Sequence, residues 1–476
     1  MLSDFPSNCV EALIFAANLG YMSKPSIPKG TRDFGPKEMA RRNYIFSSIR
    51  SVFQLHGFEP IETPAMENLS TLTGKYGEEG DQLIFKILNN GDFLSKADKD
   101  ALANLDSKKL SFSISKKALR YDLTVPFARF VVMHQNELAF PFKRYQIQPV
   151  WRGDRPGRGR YQEFFQCDVD IVGTDSLLNE VELVQIFDEV LTKLRIPGYN
   201  IVFNNRKVLA GIAEVAKASD KLTDITVAID KLDKIGKEKV VEELQQRGIT
   251  DEQIEQLSPL FGMDGDNNAV LDQLARHLKS SEIGTKGVEE LRFVTDYLNR
   301  MNVAVDRVKV DPTLARGLNY YTGAIFEVKV DDAPVGSICG GGRYDDLTGI
   351  FGLKGLSGVG ISFGADRIYD VMEHFDLFPE EASRSTEVLF VNFGSSEEQK
   401  CMEIAMHLRS EGISAEVYPE SAKMKKQMKY ANDKNIPFVV LLGSQELENG
   451  TLSLKKMESG EQFDIAQGDL VAHLKA

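Results

Sequence analysis

A long block of the chain, from about residue 206 to residue 307, carries helical periodicity throughout and has few aromatic residues. A short strand-like segment, Ile201–Phe203, precedes it, and strands resume at Val308 and continue through Ile338. Inside the block, Gly248 ends one helix, and Thr250 to Gln253 has the spacing of a capping box for the next. Strands that stop and then resume around a purely helical segment predict an all-helical insertion.

The segments on either side of this block mix strands and helices. A helix is predicted over residues 36–56, ended by Gly57, and another over Ser176–Leu194. Asn89–Lys117 is polar and rich in Lys and Asp, which predicts a surface insertion with a short helix near Lys99–Leu105. Strands are predicted at Phe58–Pro64, at Gln82–Leu88, on both sides of a Gly/Arg-rich loop within Phe140–Ile171, and at Ser357–Phe363, before a helix from Ala365.

After a linker at Ser383–Ser385, short strands alternate with helices. A capping box from Ser395 to Glu398 opens a helix that ends near Gly412, and Asn449-Gly450 marks a hairpin turn. Strands are predicted at Val388–Asn392, Ala415–Tyr418 and Phe438–Leu442, and a helix at Ser421–Lys434. This alternation is typical of a small parallel-type α/β domain.

Composition limits the class of protein. The length of 476 residues corresponds to about two to four domains. No apolar run approaches the roughly 20 residues that span a bilayer, and the four cysteines have no metal-like spacing, as in reduced cytoplasmic proteins. The net charge of −13 alone argues against a nucleic-acid partner, but a local basic surface can still face RNA.

The first 21 residues resemble nothing that follows them. They lack a basic start and contain Asp4 and Glu11, so a secretory signal is not expected. Met22 opens MSKPSIPKGTRDF, which has the character of a natural beginning. We expect residues 1–21 to be an extension outside the folded core, and the protein to be cytoplasmic.

The densest charged segment is Trp151–Asp170, WRGDRPGRGRYQEFFQCDVD. Glycines and a proline prevent a helix in its first half, so this part is a loop between two strands. The loop holds four arginines: Arg152, Arg155, Arg158 and Arg160. Because guanidinium groups bind phosphate bidentately, the loop predicts a phosphate site; a solvated hairpin tip is the alternative.

The strand after this loop is polar at every second position. Gln166 and Asp170 share one face with Phe164 and Asp168. A buried amide and carboxylate cost free energy unless a partner satisfies them, and an ammonium group or an imidazole N–H would do so. The alternative is an edge strand that faces water.

Two further segments supply candidate ligands. Leu119–Phe130, LRYDLTVPFARF, places Asp122 and Thr124 on one strand face ahead of a proline, where Asp122 could accept an ammonium group or merely cap a helix. In LARGLNYYTGAIFEV, residues 314–328, Arg316 stands beside a glycine, and an extended backbone would point Tyr320 and Tyr321 to opposite faces.

Two glycine-containing segments complete the set. Gly340–Gly342 lacks the spacing of a P-loop, so close backbone approach to a ligand is the favoured role. In Ser357–Ile368, Arg367 falls in the first turn of a helix, where the macrodipole disfavours a cation and a nearby anion would compensate.

In this order, the segments resemble the motifs of class II aminoacyl-tRNA synthetases, specifically those of the histidyl-tRNA synthetase family. The resemblance covers nearly everything from about Ile27 to the end, and several ordered motifs are far more specific than one. The class II motifs resemble Gly57–Glu67, Tyr145–Asp170 and Ser357–Ile368, and the histidine-specific segments resemble Pro28–Phe34, Leu119–Phe130 and Leu314–Val328.

The resemblance implies an α+β fold: an antiparallel sheet flanked by helices. The catalytic domain would cover residues 22–385, with the helical insertion at about 206–307 inside it. An α/β anticodon-binding domain would follow at 386–476, where Lys423, Lys425, Lys426 and Lys429 form a basic patch on a predicted helix. A solvated helix face is the alternative for that patch.

The resemblance also implies the residues that hold histidine. Asp122, Thr124 and Gln166 would hold the α-ammonium group. Asp170 and Tyr321 would bind the imidazole nitrogens, and Tyr320 would line the pocket.

The implied ATP site consists of arginines. Arg152 would bind both the α-phosphate and the histidine carboxylate, and Arg316 would approach the same centre from the other side, which makes these two the catalytic residues. Arg160 and Arg367 complete the ATP site, with Arg367 on the γ-phosphate. No protein ligand to a metal is assigned, although Mg²⁺ should bridge the β- and γ-phosphates.

The implied reaction is attack of the histidine carboxylate on the α-phosphorus of ATP, followed by transfer of histidine to the 3′ end of tRNA(His). The implied assembly is a C₂ homodimer formed around Pro64, with no membrane partner. Two positions depart from the family pattern: Asn319 replaces an Asp, and Gly157 replaces a Gln common in bacterial members.

Three alternatives remain open at this point. The first is the non-catalytic, synthetase-like regulatory subunit of ATP phosphoribosyltransferase, which typically lacks the anticodon-binding domain. The second is a synthetase-like RNA-sensing module, a type that tends to lose the catalytic arginines. The third is another class II synthetase with the same C-terminal domain, against which PKGTRDF and RGLNYYTG count.

Overall fold

The computed structural model describes residues 25–315, 320–383 and 386–475, and its strands form three sheets. The strands, labelled in chain order, are β1 (Glu59–Pro60), β2 (Met66–Asn68), β3 (Lys86–Ile87), β4 (Lys117–Leu119), β5 (Phe142–Trp151), β6 (Glu163–Val172), β7 (Tyr199–Asn205), β8 (Val308–Val310), β9 (Ala324–Val330), β10 (Cys339–Tyr344), β11 (Gly358–Gly364), β12 (Val388–Phe390), β13 (Ala415–Val417), β14 (Phe438–Leu441), β15 (Thr451–Lys456) and β16 (Gln462–Ala466). The N-terminal extension predicted at residues 1–21 lies outside the described residues.

Helices account for most of the remaining regular structure. The α-helices are Pro36–Leu55, Leu69–Leu72, Gly77–Gln82, Lys99–Ala103, Ser107–Ile114, Thr124–His134, Leu178–Lys193, Arg206–Val215, Leu222–Ile229, Leu232–Gln246, Asp251–Leu257, Asn267–His277, Glu282–Met301, Ala365–His374, Ser395–Ser410, Met424–Asp433, Ser444–Asn449 and Leu470–Lys475.

The largest sheet has eight strands in the order β1-β5-β6-β11-β10-β9-β7-β8. It is parallel only at its two ends, where β1 pairs with β5 and β7 with β8, and antiparallel elsewhere. Helices Pro36–Leu55, Leu178–Lys193 and Ala365–His374 pack against one face, over fully buried apolar residues such as Val169. The predicted α+β fold, an antiparallel sheet flanked by helices, is confirmed.

The helical block leaves the sheet and returns to it at neighbouring strands. Six α-helices and no strand lie between β7 and β8, and these two strands pair in parallel, with Ile201 opposite Val308. Gly211 and Gly284 let two of the helices touch, because a Cβ on Gly211 would stand 2.4 Å from the Cα of Gly284. The predicted Thr250–Gln253 capping box is present.

The segment around residues 82–117 differs from the prediction. The predicted strand Gln82–Leu88 is reduced to β3, because residues 77–82 form a helix. A second helix, Ser107–Ile114, follows the expected Lys99–Ala103, and each is capped by an aspartate side chain that precedes it. The strands β2, β4 and β3 form a small antiparallel sheet here.

The C-terminal sheet has the order β13-β12-β14-β15-β16. Its first three strands are parallel and its last two antiparallel, so it is mixed rather than purely parallel. The hairpin predicted at Asn449-Gly450 is wrong: Gly450, with φ of 66°, ends a helix. The capping box predicted from Ser395 is also wrong, because the helix already begins there and Gly394 is its N-cap.

Within the described ranges, no helix is both long enough and apolar enough to cross a membrane.

Candidate active site

Two adjoining cavities lie on the face of the largest sheet opposite the three packed helices. The larger has a volume of about 360 Å³ and the smaller about 40 Å³. Six residues line both: Arg152, Gln166, Tyr321, Gly340, Gly341 and Ser362. The cavities therefore form one continuous site, with the Arg152 guanidinium at the boundary.

The alternation of β6 supplies the polar floor of this site. Cys167 and Val169 face the apolar core, so Gln166, Asp168 and Asp170 face the cavities. The neighbouring strand β11 makes room for them: a Cβ on Gly360 would stand 1.9 Å from Oδ1 of Asp170.

Strand β10 also depends on small residues. A Cβ on Gly342 would stand 2.9 Å from Cδ1 of Tyr321, and a Cβ on Gly341 would stand 2.2 Å from the Gly360 carbonyl oxygen. The glycine cluster therefore lets neighbouring groups approach closely, and Gly340 and Gly341 line both cavities.

Asp122 and Thr124 line the smaller cavity, but not from a strand. The predicted strand is wrong: Thr124 begins the helix Thr124–His134, and Pro126 is its third residue, where a proline is tolerated. Oδ1 of Asp122 accepts hydrogen bonds from the Val125 N–H (3.1 Å) and from Tyr76 Oη (2.9 Å). Asp122 thus caps the first helical turn while its carboxylate borders the cavity, and burial raises its pKa.

Tyr320 and Tyr321 both line the smaller cavity, so the expectation of opposite faces is wrong. They precede β9, which begins at Ala324, and are therefore not in an extended ladder. Their rings are 5.0 Å apart at an angle of 67°. Tyr320 Oη donates to Oδ2 of Asp122 at 3.3 Å.

Asp170 is buried beneath the smaller cavity with two partners. Nη2 of Arg144, which is fully buried, lies 2.8 Å from Oδ2, and Tyr344 Oη donates to Oδ1 at 2.7 Å. Burial raises the pKa of Asp170, while Arg144 acts in the opposite direction. Sequence analysis missed Arg144 and Tyr344. The available signal was Arg144, Gln146 and Gln148, which repeat at every second position of β5 as the polar residues of β6 do.

Asp168 also lines the smaller cavity and is 2% exposed. Burial raises its pKa to about 7, with Arg144 acting against this shift and Asp170 adding to it. Sequence analysis noted that Asp168 shares the polar face but gave it no role.

The larger cavity is lined by Arg152, Arg160 and Arg367. Nε of Arg152 donates to the Tyr121 carbonyl (3.1 Å), and its guanidinium carbon lies 4.3 Å from the centre of that ring. Arg367 donates to the carbonyls of Gly159 (2.8 Å) and Ser337 (2.6 Å). Backbone carbonyls thus help to orient the Arg152 and Arg367 side chains.

The PKGTRDF segment anchors this cavity from outside. The Gly30 carbonyl accepts from the Gln162 N–H (2.8 Å), which ties the segment to the start of β6. Asp366 forms ion pairs with Arg32 and with the buried Arg42 (2.5 Å), and accepts from the Phe165 N–H (2.9 Å). Sequence analysis missed Asp366, whose only signal is an acidic residue in a first helical turn.

Three positions that the sequence singled out need separate mention. Arg316 and Asn319 lie outside the described residues. Gly157 is exposed at the tip of the hairpin between β5 and β6, where it pairs with Arg160. Among the residues that the structure describes, no group of three or more His, Cys, Asp or Glu side chains could hold a metal ion.

A family model described as histidyl-tRNA synthetase matches residues 30–95 and 110–368, which include every lining residue named above. The chain belongs to the histidyl-tRNA synthetase family. A model described as an anticodon binding domain matches residues 387–476. The predicted family is confirmed.

Similar proteins agree with this family over nearly the whole chain. A histidine–tRNA ligase of Christiangramia forsetii is 59% identical over 95% of this chain and 99% of its own length. One of Phocaeicola vulgatus is 57% identical over 95% of this chain and its full length. The crystal structure of histidyl-tRNA synthetase from Nostoc sp. PCC 7120 superposes with a TM-score of 0.82 at 32% identity, covering 95% of this chain and 99% of that one.

Proposed function

We propose that the protein is a histidine–tRNA ligase, which forms histidyl-adenylate and pyrophosphate from L-histidine and ATP and then transfers histidine to the 3′ end of tRNA(His). Membership of the family supports an aminoacyl-tRNA ligase. The observation that carries the proposal is the continuous site: a carboxylate-lined cavity meets an arginine-lined cavity at Arg152. Those are the chemistries that an amino acid and a triphosphate require.

For histidine, we assign the smaller cavity. Asp122, Thr124 and Gln166 hold the α-ammonium end, and Asp170 and Tyr321 bind the imidazole nitrogens, with Tyr320 as a wall. All six border this cavity, which supports the assignment. A site whose buried polar groups pair with both ring nitrogens rejects analogues that lack them by orders of magnitude.

For ATP, we assign the larger cavity. Arg152, at the boundary, binds the α-phosphate and the histidine carboxylate, Arg160 contacts the nucleotide, and Arg367 binds the γ-phosphate. Arg316, which lies outside the described residues, is assigned to the same site from the family resemblance alone. The carboxylate is already ionised, so its in-line attack on the α-phosphorus needs no general base. The arginines stabilise the charge that develops on the phosphorus oxygens.

Mg²⁺ belongs to the same proposal, since it neutralises the β- and γ-phosphates when bound. Magnesium ions are usually held by substrate phosphates, waters and one or two carboxylates. Glu327 is a buried carboxylate that lines the larger cavity, so the residues present fit a metal held mainly by the nucleotide.

For tRNA, we assign the C-terminal unit to the anticodon. Four exposed lysines at the helix Met424–Asp433 support this: Lys423, Lys425, Lys426 and Lys429. Lys426 and Lys429 pair with Glu420 and Asp433, but exposed ion pairs are weak and can exchange for phosphate contacts. Gly157 and Arg160 pair at the exposed tip of the β5–β6 hairpin, and we assign this tip to the acceptor end.

We further propose a cytoplasmic C₂ homodimer. Met66 and Met133 are 51% and 67% exposed, and the Glu67–Arg129 ion pair links their elements. Ile350, also exposed, stands on a short turn that packs against the helix Thr124–His134. Exposed apolar side chains on neighbouring elements suit a second copy of this chain, and Met66 among them follows Pro64 closely in the chain.

The alternative is a non-catalytic regulatory subunit of ATP phosphoribosyltransferase. A matched anticodon-binding segment at 387–476 counts against it. The Arg152 and Arg367 side chains that line the larger cavity count against it as well.

The test is charging of unfractionated tRNA by the full-length protein with ATP and each amino acid in turn. We expect transfer of histidine alone, in an acid-stable linkage to tRNA. The incorporated label should reach a plateau when the tRNA that accepts histidine is fully charged. No charging with any amino acid, together with stimulation of a phosphoribosyltransferase, would favour the regulatory subunit.

A further inference from the structure

Three buried carboxylates border the smaller cavity: Asp122, Asp168 and Asp170, each 2% exposed. They differ in how fully their oxygens are occupied by protein donors. Asp122 is satisfied by the Val125 N–H and by two tyrosine hydroxyls.

Asp170 is also satisfied. One of its oxygens faces the Arg144 guanidinium at 2.8 Å, and the other accepts from Tyr344 Oη at 2.7 Å. The protein has therefore supplied both a counter-charge and a hydrogen bond to this carboxylate before any substrate arrives.

Asp168 is different. Its Oδ1 is buried and has no hydrogen-bond partner among the described residues, and the same holds for Oε1 of Gln166. Ser362 stands beside both, since its Oγ accepts from Gln166 Nε2 at 3.0 Å and its Cα is the cross-strand partner of Asp168. Two acceptor oxygens on one strand face thus border the cavity without a donor.

A buried oxygen without a donor has lost its hydration with no hydrogen bond in return, and the cost is greater if the group is charged. A ligand group that offers several N–H donors and a positive charge removes this cost for both oxygens at once. An ammonium group does so, whereas a neutral imidazole offers a single N–H.

We infer that Asp168, together with the amide oxygen of Gln166, receives the α-ammonium group of the amino-acid substrate. The inference rests on the proposed function and deepens it, because it adds to the predicted ammonium ligands a carboxylate with one buried oxygen that has no donor among the described residues.

The groups that face Asp168 fit this role. Arg144 on β5 and Ser362 on β11 favour its charged form, while Asp170 and Asp122 disfavour it. Burial outweighs them and holds the pKa of Asp168 at about 7 in the empty site. An arriving ammonium group favours the carboxylate, so histidine binding near pH 7 should expel a proton from Asp168.

The test compares two ligands, L-histidine and 3-(imidazol-4-yl)propionate, which lacks only the amino group. Each is titrated calorimetrically at pH 8 into the full-length wild type, Asp168→Asn and Cys167→Ala. Cys167 neighbours Asp168 on β6 but faces the opposite side, so Cys167→Ala controls for disturbance of the strand. We expect Asp168→Asn to weaken histidine binding roughly 10- to 100-fold, as for loss of a charged hydrogen bond, and to leave the affinity for the analogue unchanged. Cys167→Ala should bind both ligands with the affinity of the wild type.

Equal weakening of both ligands, or of neither, would overturn the inference. A wild type that binds no histidine would instead overturn the proposed function. Proton release is an independent measurement that needs no variant. Calorimetry at pH 7 in buffers of different ionisation enthalpy should show about half a proton more released by histidine than by the analogue. Equal release would also contradict the role of Asp168.

Discussion

The ion pair between Asp170 and Arg144 should affect both the stability of the fold and the binding of substrate. Both side chains are buried, so removing one leaves the other charge without its counter-ion, at a cost of about 3–5 kcal/mol. Asp170→Ala should therefore lower the free energy of unfolding by that amount in urea denaturation and raise the histidine KM strongly.

The double variant Arg144→Leu/Asp170→Ala separates the two effects. It should recover most of the stability, because no charge stays buried alone, but not the affinity for histidine. Recovery of both, or an Asp170→Ala protein with normal histidine KM, would place Asp170 outside the histidine pocket.

The raised pKa of Asp168 predicts that the stability of the protein without substrate depends on pH. Its pKa is raised from 3.8 to about 7 in the folded protein, so between these values the folded state keeps a proton that the unfolded chain has released. Its contribution to stability is therefore complete below about pH 4 and is lost as the pH rises through 7.

The Asp168→Asn variant has no carboxyl group at this position, so this loss of stability with rising pH is absent. Its melting temperature relative to the wild type should rise steadily from pH 4.5 to 7 and level off above pH 7.5, as followed by thermal unfolding. A difference that does not change with pH would mean that Asp168 is already ionised in the empty site.

The sequence indicated the residues that line the cavities better than the groups that support them. Gln166 and Asp170, which line the smaller cavity, could be singled out because their alternation is visible along one strand. Arg144 and Tyr344 were not, since their importance depends on being opposite Asp170, and that pairing is not written in any local pattern.

At the scale of elements, Asp366 joins four segments at the N-terminus of the helix Ala365–His374. It contacts Arg32 in the PKGTRDF segment, Arg42 on the helix Pro36–Leu55 and the backbone of Phe165 on β6. Arg367 is the next residue of the same helical turn, so Asp366 fixes the position from which it reaches the larger cavity.

Asp366→Asn should therefore raise the KM for ATP in pyrophosphate exchange about tenfold, or roughly 1.4 kcal/mol, with little change in histidine affinity. Glu373→Gln is the control, because Glu373 lies on the same helix as Asp366 and is exposed, so its ion pair with Arg41 should contribute little. An unchanged KM for ATP in a folded Asp366→Asn protein would show that Asp366 does not position Arg367.

The elements themselves were predicted where periodicity is strong. The strands around the arginine loop and the helix 36–56 follow from alternation and from helical spacing. The helix at Thr124–His134 was missed because Pro126 was taken as a stop signal, although a proline fits the first helical turn. An extended backbone would have placed Tyr320 and Tyr321 on opposite faces, but Tyr320 lies in a turn before β9, and both tyrosine rings line one cavity.

At the scale of the whole molecule, the site is assembled from segments far apart in the chain. Arg152, Tyr321 and Arg367 flank the ends of β5, β9 and β11. They meet because these strands belong to one sheet in the order β5-β6-β11-β10-β9, which no local pattern gives. The helical block was predictable from its periodicity, but the parallel pairing of β7 and β8 around it was not, because that pairing joins residues more than a hundred positions apart.

The proposed homodimer gives a prediction at this scale. The protein should sediment with the mass of two chains at micromolar concentration, and the double variant Met66→Asp/Met133→Asp should sediment as a monomer because it buries charge at the interface. Met406→Asp, at a similarly exposed methionine on the helix Ser395–Ser410, should remain dimeric. A monomeric wild type would contradict the proposed assembly.

The central claim is that the paired cavities activate histidine with ATP. ATP–pyrophosphate exchange without tRNA measures that step alone, and it can be run with each of the 20 standard amino acids in turn. We expect exchange with L-histidine only, and we expect Arg152→Ala to abolish it while that protein remains folded. Exchange stimulated by another amino acid, or by none, would contradict it.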